Sequence, residues 1–351
     1  MKYADILSDA VRAPSGDNCQ PWRFEILKNC IKIFNVPERD TSLFNYQQRA
    51  SYVAHGALLE NLQISASANG YETNVELFPS DGERDLVADV HLTERPPANH
   101  QLQAAISART SNRQVYNGKP IPAEIRAELL EPFEDSAHPL FLTSTNAEKS
   151  ILADIIALND RIIFEHPGLH SFLFDHVRWS AEEAEISCDG LDLRTLELAF
   201  PDSMMFPLLK SWGLVKFLNY VGISRIIGGN ALKLARSAGA IGVIAMKSLG
   251  REDFVAAGRT LERVWLQSAR LGLSFQMMTG ITFLMASLEG GRTADLTSVQ
   301  LKRISKAKEE LKAVAGVGMG IMFRLGFSNQ PSARSVRLPL AAVVSEVQDR
   351  C

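Results

Sequence analysis

The sequence predicts an α+β fold: a mixed sheet flanked by helices, built twice in one chain as two fused repeats that form an intrachain pseudo-dimer. Three observations carry this expectation. Segments of strand character are interleaved with helical ones along the chain; two long helices, one in each half, are apolar on more than one face; and those two helices match each other without a gap.

The interleaving is legible from the start. Residues 3–11 read as a short amphipathic helix, and residues 23–27 and 30–36 as a strand pair turning at Lys28-Asn29. A helix over 50–69 closes at Gly70, which can take the left-handed conformation that ends a helix. Strands follow at 73–78 and 85–92. Arg95-Pro96-Pro97 then marks a boundary between a first, truncated unit (1–97) and a second (98–351). The second unit holds helices over 101–108, 121–130 and 147–164, with a short strand at 140–143 between the last two. Residues from about 165 to 230 are irregular and rich in aromatic residues and Met, among them Phe172, Phe174, Trp179, Phe200, Met204 and Phe217. They read either as extra core with helical packing or as a helical, lid-forming insertion. A buried strand at 238–246, a helix over 251–271 ended by Gly272, a helix over 297–312 and an apolar strand over 313–323 complete the body.

The two long helices carry the second and third observations. Leu58, Leu59, Leu62 and Ile64 in one, and Leu261, Val264, Trp265 and Leu266 in the other, leave little polar surface, so both belong in the interior. Val53-Ala54-His55-Gly56 aligns with Val255-Ala256-Ala257-Gly258, and Leu59-Glu60 with Leu261-Glu262. Gly56 and Gly70 are 14 residues apart, as are Gly258 and Gly272. Duplication accounts for this register better than chance similarity of two apolar helices, and two related buried helices are expected to pack about a pseudo-twofold axis.

Composition narrows the function. With 351 residues, 46% hydrophobic, the chain can bury a sizeable core, and a net charge of −3 without long like-charge runs argues against nucleic-acid or anionic-membrane partners. A small-molecule substrate is expected. No signal-peptide core follows Met1 and no charge-free run is long enough to span a bilayer, so the expected location is cytoplasmic. Cys19, Cys30, Cys188 and Cys351 are scattered without a C-x-x-C pair and read as reduced thiols. His166, His170 and His176 do not read as a metal site, because Pro167 and Gly168 interrupt the helix that would align the first two; no metal is expected. Gly316-Val317-Gly318-Met319-Gly320 is not a dinucleotide fingerprint, since its glycines fall within the apolar strand expected there.

Two polar stretches stand out chemically. Ala13-Pro14-Ser15-Gly16-Asp17-Asn18-Cys19-Gln20-Pro21-Trp22 is stiffened by two prolines and by side chains that bond nearby backbone, as suits a loop facing a ligand; an ordinary helix-to-strand turn has the same composition. Arg109-Thr110-Ser111-Asn112-Arg113 stands at a helix end, where Arg109, Ser111 and Arg113 at spacing two can converge on one side of an irregular turn. Forked guanidiniums and a hydroxyl suit a phosphate; a solvated polar turn is the plain alternative.

Together these motifs resemble the FMN-dependent nitroreductase superfamily, specifically its single-chain tandem branch. Residues 106–116 followed by Ile121-Pro122-Ala123-Glu124 are similar to that family's opening helix, Arg-x-Ser-x-Arg motif and second helix. The loop from Ala13 to Trp22 is similar to its flavin-facing loop, the Gly258-to-Gly272 helix to its interface helix, Met278-Thr279-Gly280 to its segment beside the isoalloxazine, and Arg334-Ser335-Val336-Arg337 to its phosphate-binding tail. The resemblance implies FMN as cofactor, gripped at the phosphate by Arg109, Thr110, Ser111, Arg113, Arg337 and Arg334. Pro14, Ser15 and Asn18 line the ring from the opposite unit, and Thr279-Gly280 lies where a backbone N–H bonds flavin N5.

The implied activity is hydride transfer from NADH or NADPH through FMN to a nitro or quinone-like acceptor; no side chain is assigned a catalytic role. A non-enzymatic FMN-sequestering protein with a lid-sealed site is the alternative, and flavin-fragmenting chemistry a second. Thr279 departs from an acidic residue some relatives carry. The first unit lacks an Arg-x-Ser-x-Arg opening and the second lacks a Pro-Ser-x-x-Asn loop after Glu131, so one FMN per chain and a monomer are expected.

Overall fold

The computed structural model describes residues 3–80, 82–133, 138–293 and 295–346; Met1 and Cys351 lie outside them. Helix α1 (Ala4–Ala10) buries Ile6, Leu7 and Ala10 against the hairpin of β1 (Trp22–Ile26) and β2 (Cys30–Asn35), in which Trp22, Phe24 and Ile26 alternate inward. Helix α2 (Arg49–Ala68) leads to β3 (Tyr71–Leu77) and β4 (Leu86–Glu94), paired antiparallel. After α3 (Gln103–Ala108), α4 (Ala123–Leu130) and β5 (Leu140–Leu142) comes α5 (Asn146–Ile163), started by a reciprocal Thr145/Glu148 capping box.

The stretch from about 165 to 230, expected as a helical insertion, is mostly helical: α6 (Pro167–His176), α7 (Ala181–Ser187), α8 (Asp202–Met205), α9 (Trp212–Leu218) and α10 (Ile223–Arg236), with a parallel ribbon of β6 (Val177–Arg178) and β7 (Leu191–Asp192). Strand β8 (Ala240–Ala245), helix α11 (Arg251–Arg270), β9 (Ser274–Met277), α12 (Gly280–Glu289), α13 (Ser298–Ala315), β10 (Gly320–Gly326) and β11 (Val344–Glu346) follow.

Two main sheets result. The first runs β11-β1-β2-β4-β3, with β11 parallel to β1 and the other pairs antiparallel, so it is mixed and takes its edge strand from the far end of the chain. The second runs β5-β8-β10-β9, antiparallel throughout. Helix α2 backs the first sheet and α11 the second, and the two helices pack on each other. They cross at Gly56 and Gly258, where a Cβ on either residue would stand 2.0 Å from a backbone oxygen of the other helix, that of Val255 or Val53 respectively. The contact is reciprocal: Val255 of α11 lies in the core of the first sheet and Val53 of α2 in that of the second.

Three local expectations are corrected. Helix α13 runs on through Ala315, where a strand was expected from residue 313, because Lys312-Ala313-Val314-Ala315 continues a helical pattern and Gly316, at φ 74°, caps it. The glycine-rich run is therefore a helix cap and loop leading into β10. Pro167 opens α6 rather than interrupting a helix, since a first-turn residue needs no N–H partner. Helix α12 is almost uniformly apolar, so it has no periodicity to betray it.

A Cβ placed 2.0 Å from a carbonyl oxygen outweighs the helix propensity that alanine gains over glycine. Gly56→Ala and Gly258→Ala are each expected to lower unfolding free energy by about 1–3 kcal/mol, read by urea denaturation; wild-type stability in both would show that the helices do not depend on this approach.

Candidate functional site

The loop after α1 is held in a conformation its residue types allow but do not favour. Asp17, Asn18 and Gln20 have φ of 44°, 58° and 50°, in the left-handed region where a Cβ is strained. Bonds from three directions compensate. The Ser15 hydroxyl accepts from the Gln20 N–H (2.9 Å), Gln20 Nε2 donates to the Cys188 carbonyl (2.8 Å), and Asn18 Nδ2 donates to the Val336 carbonyl (3.1 Å). Arg337 completes the clamp, donating to Asn18 Oδ1 (2.9 Å) and to the carbonyls of Val11, Arg12 and Ala13. Asn18 and Arg337 thus fasten the C-terminal tail to the loop.

The Arg109–Arg113 turn leaves the end of α3 and meets the second sheet, where Ser111 forms a parallel bridge to Phe275 of β9. Arg109 is buried: its guanidinium lies 4.4 Å from the Trp265 ring centre, its Nε lies 3.0 Å from Oε1 of Glu262, and it donates to the Arg12 carbonyl. Trp265 and Glu262 are both on α11. Arg113 donates to the Thr195 carbonyl (3.1 Å), and the exposed Arg334 donates to the carbonyls of Ser107 and Ala108 at the end of α3.

These parts enclose two adjoining spaces. A small pocket of about 120 Å³ is lined by Arg109, Thr110, Ser111 and Arg113 on one side and by Arg334, Arg337 and Asn18 on the other. A cavity of about 670 Å³ takes in Thr279 and Gly280 at the start of α12, with Trp265 and residues of α5, α6 and α10. Pro14, Ser15, Ser111 and Arg113 line both. Every residue implied for the FMN site therefore borders one of these two spaces, which share lining residues.

Charge is concentrated in the small pocket. Arg12, Arg109, Arg113, Arg334 and Arg337 all line it. Burial, followed by repulsion from Arg109, brings Arg337 down to about 9, and burial also lowers Arg109 and Arg113. Burial pushes Glu262 up to about 7 against the pull of Arg109, and neither of its oxygens accepts a hydrogen bond: the Arg109 contact is close but not aligned as one. Asp17 is also raised, mainly by burial, while His176 and Arg113 pull it back. A cluster of forked cations whose buried counter-charge is weakly ionised suits an anion.

Several contributors were not singled out. Arg12 directly precedes the stiff loop, a signal available in the chain. Glu262 was visible only as the counterpart of Glu60. The Thr195 carbonyl and the acids Asp40 and Asp160 carried no motif. The three histidines are engaged by backbone: His166 Nδ1 accepts from Leu169 N–H, His170 Nε2 lies 2.8 Å from the Leu209 carbonyl and His176 Nδ1 lies 2.8 Å from that of Phe172. Of the aromatic- and Met-rich residues, Phe172, Met205 and Phe206 line the cavity and Phe174 sits in a small core of its own. Phe200, Met204 and Phe217 point outward, 78%, 68% and 67% exposed, so they cannot seal it.

Glu262 favours its protonated form in the fold. Its stabilising contribution is complete below the unfolded value of 4.5 and is lost as pH rises through about 7. Glu262→Gln is expected to flatten the fall in stability between pH 4.5 and 7, measured by thermal melts across that range; an unchanged profile would place the titration elsewhere.

No family model matches the chain. Over 341 residues it is 28% identical to an uncharacterized protein of Mycobacterium tuberculosis (strain CDC 1551 / Oshkosh), a match covering 95% of this chain and 46% of that protein. Over 119 residues it is 29% identical to an M. tuberculosis (strain ATCC 25618 / H37Rv) protein named "Putative NAD(P)H nitroreductase", covering 33% of this chain and 35% of the relative. A second protein of that name and strain, acg, is 28% identical over 130 residues, 34% of this chain and 38% of its own. The matched stretches span less than half the length of each of these relatives.

Proposed function

We propose that the chain is an FMN-dependent oxidoreductase of nitroreductase type, passing a hydride from NADH or NADPH to an electron-poor nitro or quinone-like acceptor. One observation carries the reading: a pocket lined by five arginines adjoins a larger, mostly apolar cavity, sharing Pro14, Ser15, Ser111 and Arg113 with it. That pairing suits a molecule with an anionic end and a flat ring. The partial relatives named as NAD(P)H nitroreductases support the same class.

The residues present fit FMN. Arg113, Arg334 and Arg337, with Ser111 and Thr110, would hold the phosphate, and Arg109 would add charge from the pocket wall, kept in place by Glu262 and Trp265. Pro14 and Ser15 would bound one side of the ring, while Thr279 and Gly280 at the start of α12 would offer backbone N–H groups to its edge. When bound, FMN supplies the hydride chemistry. The chain's part is to fix the ring, neutralise the phosphate and keep space for a second molecule. A flat ring on the Pro14–Ser15 side fills only part of 670 Å³, which favours turnover over a sealed, sequestering site.

The proposal includes the architecture. The units 1–97 and 98–351 meet along α2 and α11 as an intrachain pseudo-dimer, the first supplying the loop and the second the arginines. One FMN per chain and a monomer follow.

Purified protein should bind FMN at one per chain by titration and be bleached anaerobically by NADH or NADPH at a catalytic rate. Absence of FMN binding would overturn the reading, and bound FMN that neither nicotinamide reduces would favour sequestration. Arg113→Ala should weaken FMN binding by roughly 10- to 100-fold, the worth of a charged hydrogen bond. Arg109→Ala should also lower stability, because it removes the guanidinium packed on Trp265 and its bond to the Arg12 carbonyl. Unaltered FMN affinity in both variants would refute the phosphate assignment.

A further inference from the structure

At the end of α5, on the wall of the large cavity, stand two adjacent polar residues to which no role has been given. Asn159 and Asp160 both line the cavity. Asn159 Nδ2 donates to Asp160 Oδ1 (3.1 Å), the one side-chain hydrogen bond of that carboxyl among the described residues, while Asn159 Oδ1 is buried without a partner. The pair lies against the start of α12: a Cβ on Gly280 would come within 2.3 Å of Asn159 Oδ1. Residue 280 must be glycine for the pair to sit there, beside the segment where the ring edge is proposed to lie.

The surroundings favour the uncharged form of Asp160. Burial raises its carboxyl above the usual range, and only the Asn159 bond opposes this. Among the described residues, the arginines of the neighbouring helices are engaged elsewhere. On α5 itself, Arg161 is paired with Glu165 (2.8 Å), and Arg303 of α13 bonds the same carboxylate (2.9 Å). On α10, Arg236 lies 3.6 Å from Asp154, and Lys233 borders the same cavity without a resolved influence on Asp160. Helix α12 carries only Glu289, at its far end and 3.2 Å from Lys308. On α6, His170 is bonded to the Leu209 carbonyl and Asp175 accepts from Ser171. Asp202 of α8 also lines the cavity.

A neutral carboxylic acid with one oxygen already accepting a bond has an O–H to donate. Phe172, Leu173, Phe206 and Ile227 give the cavity apolar lining as well. We propose that Asp160, positioned by Asn159, is the hydrogen-bond donor that selects an uncharged, apolar-bodied ligand with a nitro or carbonyl oxygen for this cavity. The assignment rests on the oxidoreductase reading for its ligand class, but binding to the flavin-free protein tests it separately. Thr279, at the start of α12, has no acid to offer such an oxygen; Asp160 supplies one from the neighbouring helix.

The probes are nitrobenzene and toluene, matched in shape but differing in the oxygens, with affinities measured by equilibrium dialysis on the flavin-free full chain at several pH values from 5 to 9. Wild type should prefer nitrobenzene over toluene by about five- to tenfold at pH 5, the worth of one hydrogen bond. That preference should fall as pH rises and the acid ionises, since a carboxylate cannot donate. Asp160→Asn, whose amide donates at every pH, should keep the preference at pH 9. Asp160→Leu should lose it at pH 5 while binding toluene at least as well as wild type. A preference independent of pH in wild type, or unchanged in Asp160→Leu, would overturn the proposal, as would Asp160→Asn losing it. FMN titration of the same preparations reports on the cofactor reading alone, so either idea can fail while the other stands.

Discussion

Everything else in this molecule hangs on the crossing of α2 and α11. Two helices approach so closely at Gly56 and Gly258 that each Cα hydrogen occupies the space a methyl group would need, with the partner helix's carbonyl oxygen behind it. Such an approach is open only to glycine on both sides. It brings the sheets backed by the two helices into one body, and it carries Val53 and Val255 across into each other's cores. Glu60 and Glu262, matched in sequence, both end up at this interface with different partners: Arg259 and Arg263 for Glu60, Arg109 for Glu262. The same scaffold position therefore pairs with arginines of the partner helix on one side and, on the other, holds Arg109 at the wall of the arginine pocket.

The pocket shows how a fold stores unfavourable electrostatics. Buried guanidiniums repel one another and lose hydration, which lowers Arg337 to about 9. The cost is borne by many backbone carbonyls at the ends of α1 and α3, which accept from Arg109, Arg334 and Arg337 in place of water. The arginines are thereby preorganised, fixed in direction before any anion arrives. The left-handed residues of the preceding loop belong to the same arrangement: Asn18, one of them, bonds both the Val336 carbonyl and Arg337 of the tail.

Legibility in the sequence followed the range of the interactions. Gly70 and Gly272, placed in left-handed caps at the ends of two buried helices, were readable because helix capping is local. The stiff loop and the Arg109–Arg113 turn were readable for the same reason, since their chemistry lies within a few residues. Helix α12 was not, because a helix buried on all sides has no periodic contrast. The continuation of α13 past residue 312 was missed because apolar residues before a glycine read equally as strand. The stretch from 165 to 230 was read by its aromatic content, yet burial of an aromatic ring depends on which neighbours arrive: Phe172 and Phe206 reached the cavity wall, while Phe200 and Phe217 stayed in solvent.

What the chain determined by itself is the alternation of helix and strand, the pair of glycine-marked helices and the two polar stretches that border the pocket, since each depends on backbone preferences and on spacings within one element. Tertiary structure alone decided which charges face each other. Asn18 meets Arg337 across 319 positions, and Arg109 meets Glu262 on another helix. The Asp160 carboxyl is raised above its ordinary value only by burial that the folded chain supplies. Charge state depends on distance and on exclusion of water, and neither exists until the chain has folded.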